Sequence, residues 1–430
     1  MEPVLGVDFG TTNTVLSLHG ADGVRRVIRF ATPDGETTAF RSVLSFREHA
    51  DPARPRAVEA GPWAIEAYLD DPADTRFIQS FKTFAASPLF QSTEIFGRRY
   101  AFDDLLWALL ARLRIHGGEA LADLPERVVI GRPVQFAGAQ PDPDLALERY
   151  DAAFRRMGFK ELHYVYEPVA AAFFFAQRLT GDAVVLVADF GGGTSDFSII
   201  RFEKTGGGVR SAPLSHSGVG VAGDAFDYRI IDNVVSPRMG KGSSYRSLDK
   251  ILPVPNRYFS AFAKWSQLAL MKSSRELREL KSLARTALDP QLQALVELIE
   301  DDHGYKLYRA VSEAKEALSQ AETAAFVFQA GGIDIRAQID REDFERWIAP
   351  ELAQISAAVQ RALDGAGLQA SDIDQLFLTG GSSFVPAVRR IFTDRFGAEK
   401  IATGGEFESI ASGLAMIGDD EDLERWSETL

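Results

Sequence analysis

The residues best suited to chemistry fall in two short segments built on one plan. Val4-Leu5-Gly6-Val7-Asp8-Phe9-Gly10-Thr11-Thr12-Asn13-Thr14 runs from apolar residues through Asp-Phe-Gly into a Gly/Thr turn and then alternation. Val184-Val185-Leu186-Val187-Ala188-Asp189-Phe190-Gly191-Gly192-Gly193-Thr194-Ser195-Asp196 repeats it. Each segment predicts a buried strand, a tight turn and a second strand. Successive N–H groups in a glycine-rich turn form a concavity that holds anions, phosphate above all. Glycine also lets backbone approach a ligand closely. Thr11, Thr12 and Thr194 add hydroxyls at the same place, whereas Asp8, Asp189 and Asp196 would repel phosphate directly. A hydrated Mg²⁺ between carboxylate and phosphate resolves that repulsion. One such hairpin carries little weight; two in register, about 180 residues apart, predict two similar lobes facing a shared cleft.

Other segments would complete such a cleft. Gln375-Leu376-Phe377-Leu378-Thr379-Gly380-Gly381-Ser382 predicts a strand and a Gly-Gly turn, followed by a helix entry that could lie against a flat ring. Ser312, Lys315 and Ser319 share one helical face at i, i+3 and i+7, which alone reads as a solvated face. Gly240-Lys241-Gly242-Ser243-Ser244 lacks the glycine spacing and preceding strand of a P-loop and reads as a loop. The six histidines show no metal-ligand spacing, so no dedicated zinc site is expected.

The chain as a whole must hold two such hairpins apart, and 430 residues provide for two sizeable cores. A formal charge of −14 argues against nucleic acid as partner. With no cysteine there are no disulfides, thiolate metal sites or cysteine nucleophile. The N-terminal residues carry no basic-then-apolar pattern, so no secretory signal is expected, and the Val169–Ala176 apolar run is too short to span a bilayer. A cytoplasmic protein without membrane contact is expected.

With these motifs in order, the sequence resembles the nucleotide-binding domain of the DnaK (heat shock protein 70) chaperone family. It looks most like stand-alone bacterial members of the YegD type, with similarity from Val4 to about Gly418. The resemblance implies an α/β, two-lobed actin-like ATPase (ribonuclease H-like) fold with two outer subdomains, ATP or ADP as ligand, and Mg²⁺. It implies that Gly10, Thr11, Thr12 and Asn13 form the first phosphate loop, and that Asp8 and Asp189 hold magnesium through water. Gly191, Gly192, Gly193 and Thr194 would form the second loop, and Gly223 would lie near the β-phosphate. Lys82, Glu167, Thr194 and Asp196 match the residues that place the attacking water and steady the γ-phosphate. Lys315 and Ser319 match adenosine contacts, Ser312 the ribose position, and Gly380, Gly381 and Ser382 the turn beneath adenine and ribose.

Departures from the family pattern concentrate around the base. Ser312 stands in place of a glutamate, Glu316 of an arginine, Phe384 of a basic residue and Phe407 of an aspartate. With an acidic tail running to Leu430, no peptide-binding domain is expected, and His163, Tyr166 and Val169 stand where the family has polar residues that meet J-proteins. A complete refolding machine is therefore not expected. The expected organisation is lobe I over about 1–180, with an outer subdomain near 39–115. Lobe II follows over 181–430, with an outer subdomain near 230–308 that contains a long helical stretch, Tyr258 through Leu298, rich in Leu, Lys, Arg and Glu. A terminal helix near 408–417 should pack back on lobe I. The expected activity is a slow, Mg-dependent ATP-hydrolysing switch, monomeric, with a protein client or co-factor as further partner. A small-molecule kinase and a non-hydrolysing nucleotide-binding scaffold on the same fold remain alternatives.

Overall fold

The computed structural model describes residues 2–32, 35–48, 57–71, 74–138, 140–205, 208–264, 268, 271, 275–402, 408–419 and 423–427. Two sheets with the same internal plan organise the molecule. In the first, the strands Arg25–Val27, Asn13–His19 and Val4–Phe9 pair antiparallel, and Arg127–Arg132 and Glu161–Tyr166 continue the sheet in parallel. In the second, Gly208–Val219, Ser195–Thr205 and Ala183–Phe190 form the antiparallel part, and Gln375–Thr379 and Ile401–Ala402 the parallel part. The sequence repeat is thus a topological repeat, and the fold is the two-lobed, actin-like α/β architecture.

Strand periodicity decides where the two aspartates go. Leu5, Val7 and Phe9 enter the core of the first lobe, while Val4 on the other face joins a second cluster between the sheets. Leu186, Ala188 and Phe190 likewise enter the core of the second lobe, while Val185 and Val187 join that same intervening cluster. Because strand side chains alternate between faces, Asp8 and Asp189 lie on the shared side, at the carboxyl end of each strand, where the apolar packing gives out.

Two helices fill the space between the sheets. Glu167–Ala176 is apolar nearly all round, as a helix buried on every side must be. Ser409–Ile417 packs against it and against Val4–Phe9 and Asn13–His19, burying Ile410, Leu414 and Ile417. Each such side chain contributes about 1.5–3 kcal/mol. Small residues bring the backbones together: a Cβ on Gly413 would lie 1.7 Å from Ala170 O, and one on Gly6 would lie 2.4 Å from Ala411 O.

Each lobe carries outer elements. The first has a three-stranded sheet (Leu44–Arg47, Ala57–Ala60, Thr75–Ile78) and the helices Gly61–Asp70 and Phe102–His116. The second has the hairpin Ser244–Ser247/Lys250–Pro253 and the helices Arg257–Phe262, Arg275–Ala284 and Leu292–Glu300. The sequence reading of one helical stretch from Tyr258 through Leu298 does not hold. Pro290 cannot continue a helix, and before it Ala287 bridges to Tyr245 and Leu288 N–H donates to Ser244 O at 2.8 Å. Outer elements meet across the mouth of the cleft, where Tyr305 packs on Tyr68 and Phe77, and the Tyr68 hydroxyl donates to Asp302 O.

Candidate functional site

The two glycine turns match bond for bond. In the first, Phe9 faces Thr14, and Gly10 N–H donates to Asn13 O at 2.9 Å. In the second, Phe190 faces Ser195, and Gly191 N–H donates to Thr194 O at 2.9 Å. The turns also touch: a Cβ on Gly192 would lie 2.9 Å from Thr12 Oγ1 and 3.1 Å from Thr11 Cβ. One register position breaks the symmetry. Asp8 faces Val15, whereas Asp189 faces Asp196, so the second lobe brings an additional carboxylate.

A cleft of about 1110 Å³, counted out to its open mouth, runs between the lobes. Asp8, Gly10, Thr11, Thr12 and Asn13 line one wall, and Asp189, Gly191, Gly192 and Gly223 line the other. The Gly304–Gln320 helix contributes Ser312 and Lys315, and the strand end at Thr379 leads into Gly380, Gly381 and Ser382. Lys315 Nζ lies 2.7 Å from Asp227 Oδ1 and donates to Gly223 O at 3.4 Å. Gly380 has φ 83° and sits where a Cβ would fall 2.1 Å from Phe190 O, so glycine is required there. Ser319 does not line the cleft; it lies a turn beyond Lys315 and donates its hydroxyl to Lys315 O at 3.2 Å. Among the departures, Glu316 lies at the cleft, Phe384 is 46% exposed, and Phe407 falls outside the described residues.

Lys82, Glu167, Gly193, Thr194 and Asp196 are not among the residues that line the cleft; Gly193 and Thr194 stay half-buried on the second turn, and Lys82, Glu167 and Asp196 are enclosed close by. Lys82 rises from the short turn Phe81–Phe84, its ammonium 5.6 Å from the Phe9 ring centre and 2.7 Å from Glu167 Oε1. Both side chains of that ion pair are under 10% exposed (9% and 7%). Glu167 opens the Glu167–Ala176 helix just ahead of Pro168, a proline position that helix geometry favours. Burial works against the Lys82 charge, but Glu167, with Tyr150 and Asp8, outweighs it and holds the ammonium pKa above its usual range.

The carboxylates are crowded. Burial first, then the Glu167 charge, pushes Asp8 up to about 7 against the opposing pull of Lys82. The same two causes raise Asp196 to about 7 and hold Asp189 well above the usual carboxylate range. Asp196 Oδ1 accepts from Gln135 N–H at 3.1 Å, while its Oδ2 is buried without a hydrogen-bond partner among the described residues. Asp224 is raised to about 6 by burial and by Asp227. Several acids around one paired lysine are stable only with protons or a cation among them. All-oxygen donors of this kind suit a hard, hydrated cation such as Mg²⁺.

Sequence reasoning did not single out Arg41, Tyr308, Asp224, Asp227 or Thr379, all of which line the cleft. Asp224 and Asp227 follow Gly223 by one and four residues, and Thr379 directly precedes Gly380. Those neighbours were the available signal for these three.

The model of the family described as Hsp70 protein matches residues 88–245 and 293–420, about two thirds of the chain. The chain belongs to the Hsp70 family. A chaperone protein DnaK from Deinococcus proteolyticus is 25% identical over 438 aligned residues, covering 97% of this chain. That alignment covers 59% of the DnaK sequence, so the chain spans less than two thirds of this relative's length. The Hsp70 match contains Glu167, the second glycine turn, Lys315 and the Gly380 turn, whereas the first turn, Arg41 and Lys82 precede it. Among the described residues, no helix is long and apolar enough to cross a membrane. Away from the cleft, Glu297, Asp301 and His303 bring ligand atoms within 4.8 Å of one another, a grouping that histidine spacing alone did not reveal.

Proposed function

We propose that this Hsp70-family chain binds ATP in the interlobe cleft and hydrolyses it slowly, with Mg²⁺, as a conformational switch. The reading rests above all on one observation: two matched glycine turns from opposite lobes meet at the cleft, each ending a strand that delivers an aspartate. Their N–H groups make two anion concavities side by side, suited to consecutive phosphates.

Asp8 and Asp189 are the residues that would hold magnesium, through water. When bound, the ion supplies positive charge that offsets both the phosphates and the crowded carboxylates. Asp196 and Glu167 would orient and take a proton from an attacking water, and Lys82, paired with Glu167, would keep that carboxylate ionised and fixed. Thr194 adds a hydroxyl at the end of the second turn. Such catalysis is positioning and electrostatics, with no covalent intermediate.

Ser312, Lys315 and the Gly380–Ser382 turn would receive the nucleoside, on a surface with an exposed carboxylate at Glu316 where the family pattern has a stacked arginine. We take lobe I as 1–180 and lobe II as 181–430; a γ-phosphate held by both turns would draw them together, and its loss would release them.

Calorimetric titration with ATP and ADP, with and without Mg²⁺, tests the reading. Micromolar or tighter binding that weakens when Asp8 or Asp189 becomes Asn supports it. Indifference to both metal and aspartates overturns it.

A further inference from the structure

The cleft wall carries five carboxylates (Asp8, Asp189, Asp224, Asp227, Glu316) and two cations, Lys315 and Arg41. An anionic ligand must find positive charge on that wall, and Lys315 is already matched to Asp227 at 2.7 Å. Lys82, nearly buried and not part of the cleft lining, is matched to Glu167. Arg41 is the exception: among the described residues, no carboxylate pairs with it. Its backbone position is fixed, because Arg41 stands opposite Asn13 in register and the neighbouring Ser42 N–H donates to Thr12 O at 2.9 Å.

The Arg41 side chain is half-buried and lines both the main cleft and a small adjoining cavity walled by Thr11, Thr12, Tyr305 and Tyr308. Its charge opposes the rise that burial imposes on the Tyr305 and Tyr308 hydroxyls. A guanidinium held against an anion-binding turn, without a carboxylate of its own, has the planar donor fork that phosphate accepts in pairs.

We infer that Arg41 is a phosphate-binding residue of this cleft, donating to the polyphosphate held by the first glycine turn. The inference rests on the nucleotide reading above and extends it: three chain segments, the two turns and the Phe40–Arg41 strand, grip the phosphates.

The test is calorimetric binding of MgADP, adenosine and inorganic tripolyphosphate to the full chain, as wild type, Arg41→Ala and Arg41→Lys. A charge-assisted hydrogen bond of this type gives about tenfold or more in affinity. Arg41→Ala is expected to weaken MgADP and tripolyphosphate by at least that factor while leaving adenosine within about twofold. Arg41→Lys keeps the charge without the fork and should recover part of the loss. Ligand-free melting temperatures confirm that each variant is folded. Unchanged polyphosphate binding in Arg41→Ala overturns the inference, and so does an equal loss for adenosine, which would mark Arg41 as structural. If wild type binds tripolyphosphate but no nucleotide, the nucleotide reading falls, and the Arg41→Ala loss on tripolyphosphate still decides the residue's role.

Discussion

Asp196→Asn is expected to make the metal-free protein more stable at alkaline pH while removing hydrolysis. The side chain is 1% exposed, and burial with the Glu167 charge raises its pKa from 3.8 to about 7. Between those values the folded state holds more protons than the unfolded state, so stability falls as pH rises through the window. The penalty is complete above pH 7 and vanishes toward pH 4. A shift of about three units corresponds to about 4 kcal/mol. Relaxation and water entry around buried charges reduce that to about 2 kcal/mol. Asparagine keeps the shape and the carbonyl that accepts from Gln135 N–H, and it has no charge to desolvate. With an unfolding entropy of about 2.1 cal/mol/K per residue, 2 kcal/mol moves the melting temperature of a chain this size by about 2 °C. Scanning calorimetry in EDTA at pH 8.5 and pH 5.5 reads the effect. Asp196→Asn should melt about 2 °C above wild type at pH 8.5, with the gap roughly halved at pH 5.5, midway through the window. A variant that melts at or below wild type at pH 8.5, or a gap independent of pH, would refute the reasoning.

Lys82→Ala strands Glu167 in a site 7% exposed, and chemical denaturation at pH 7.5 should show a loss of about 3 kcal/mol. The double change Lys82→Met with Glu167→Leu should restore most of that stability, since neither charge is then left alone. Gly380→Ala forces a side chain into φ 83° against Phe190 O, so an affinity loss of about tenfold for nucleotide is expected by titration. Tyr68→Phe deletes the hydroxyl that bonds Asp302 O between the outer elements of the two lobes. About 1 kcal/mol lost there should speed release of a fluorescent nucleotide several-fold in stopped flow, with its association rate unchanged.

The sequence showed the parts of the site that are written locally. An apolar run, Asp-Phe-Gly and a glycine turn need only neighbouring residues to be read, and both copies form the matched hairpins that meet at the cleft. What lay beyond reach was long-range. Arg41 enters because its two-residue strand pairs with Asn13, and Tyr308 because a helix from the other lobe crosses the mouth; neither carries a local signature. The burial of Lys82 against Glu167 joins residues 85 positions apart, and only the assembled interior makes that pair nearly dry.

Two readings ran too far along the chain. Ser319, matched to an adenosine contact by the resemblance, sits a turn past the residues that line the cleft and bonds its own helix. The Tyr258–Leu298 stretch kept a helical pattern of leucines through a bridge and a proline that divide it. In each case the reach along the chain was left undetermined, and tertiary contacts then set it.

The most direct test of the central claim is single-turnover hydrolysis of radiolabelled ATP with Mg²⁺, comparing wild type with Lys82→Ala and Thr194→Ala. The account expects slow hydrolysis by wild type, and a loss of about a hundredfold or more in each variant while nucleotide binding persists. Wild type that binds MgATP without ever hydrolysing it, or variants that hydrolyse at the wild-type rate, would contradict it.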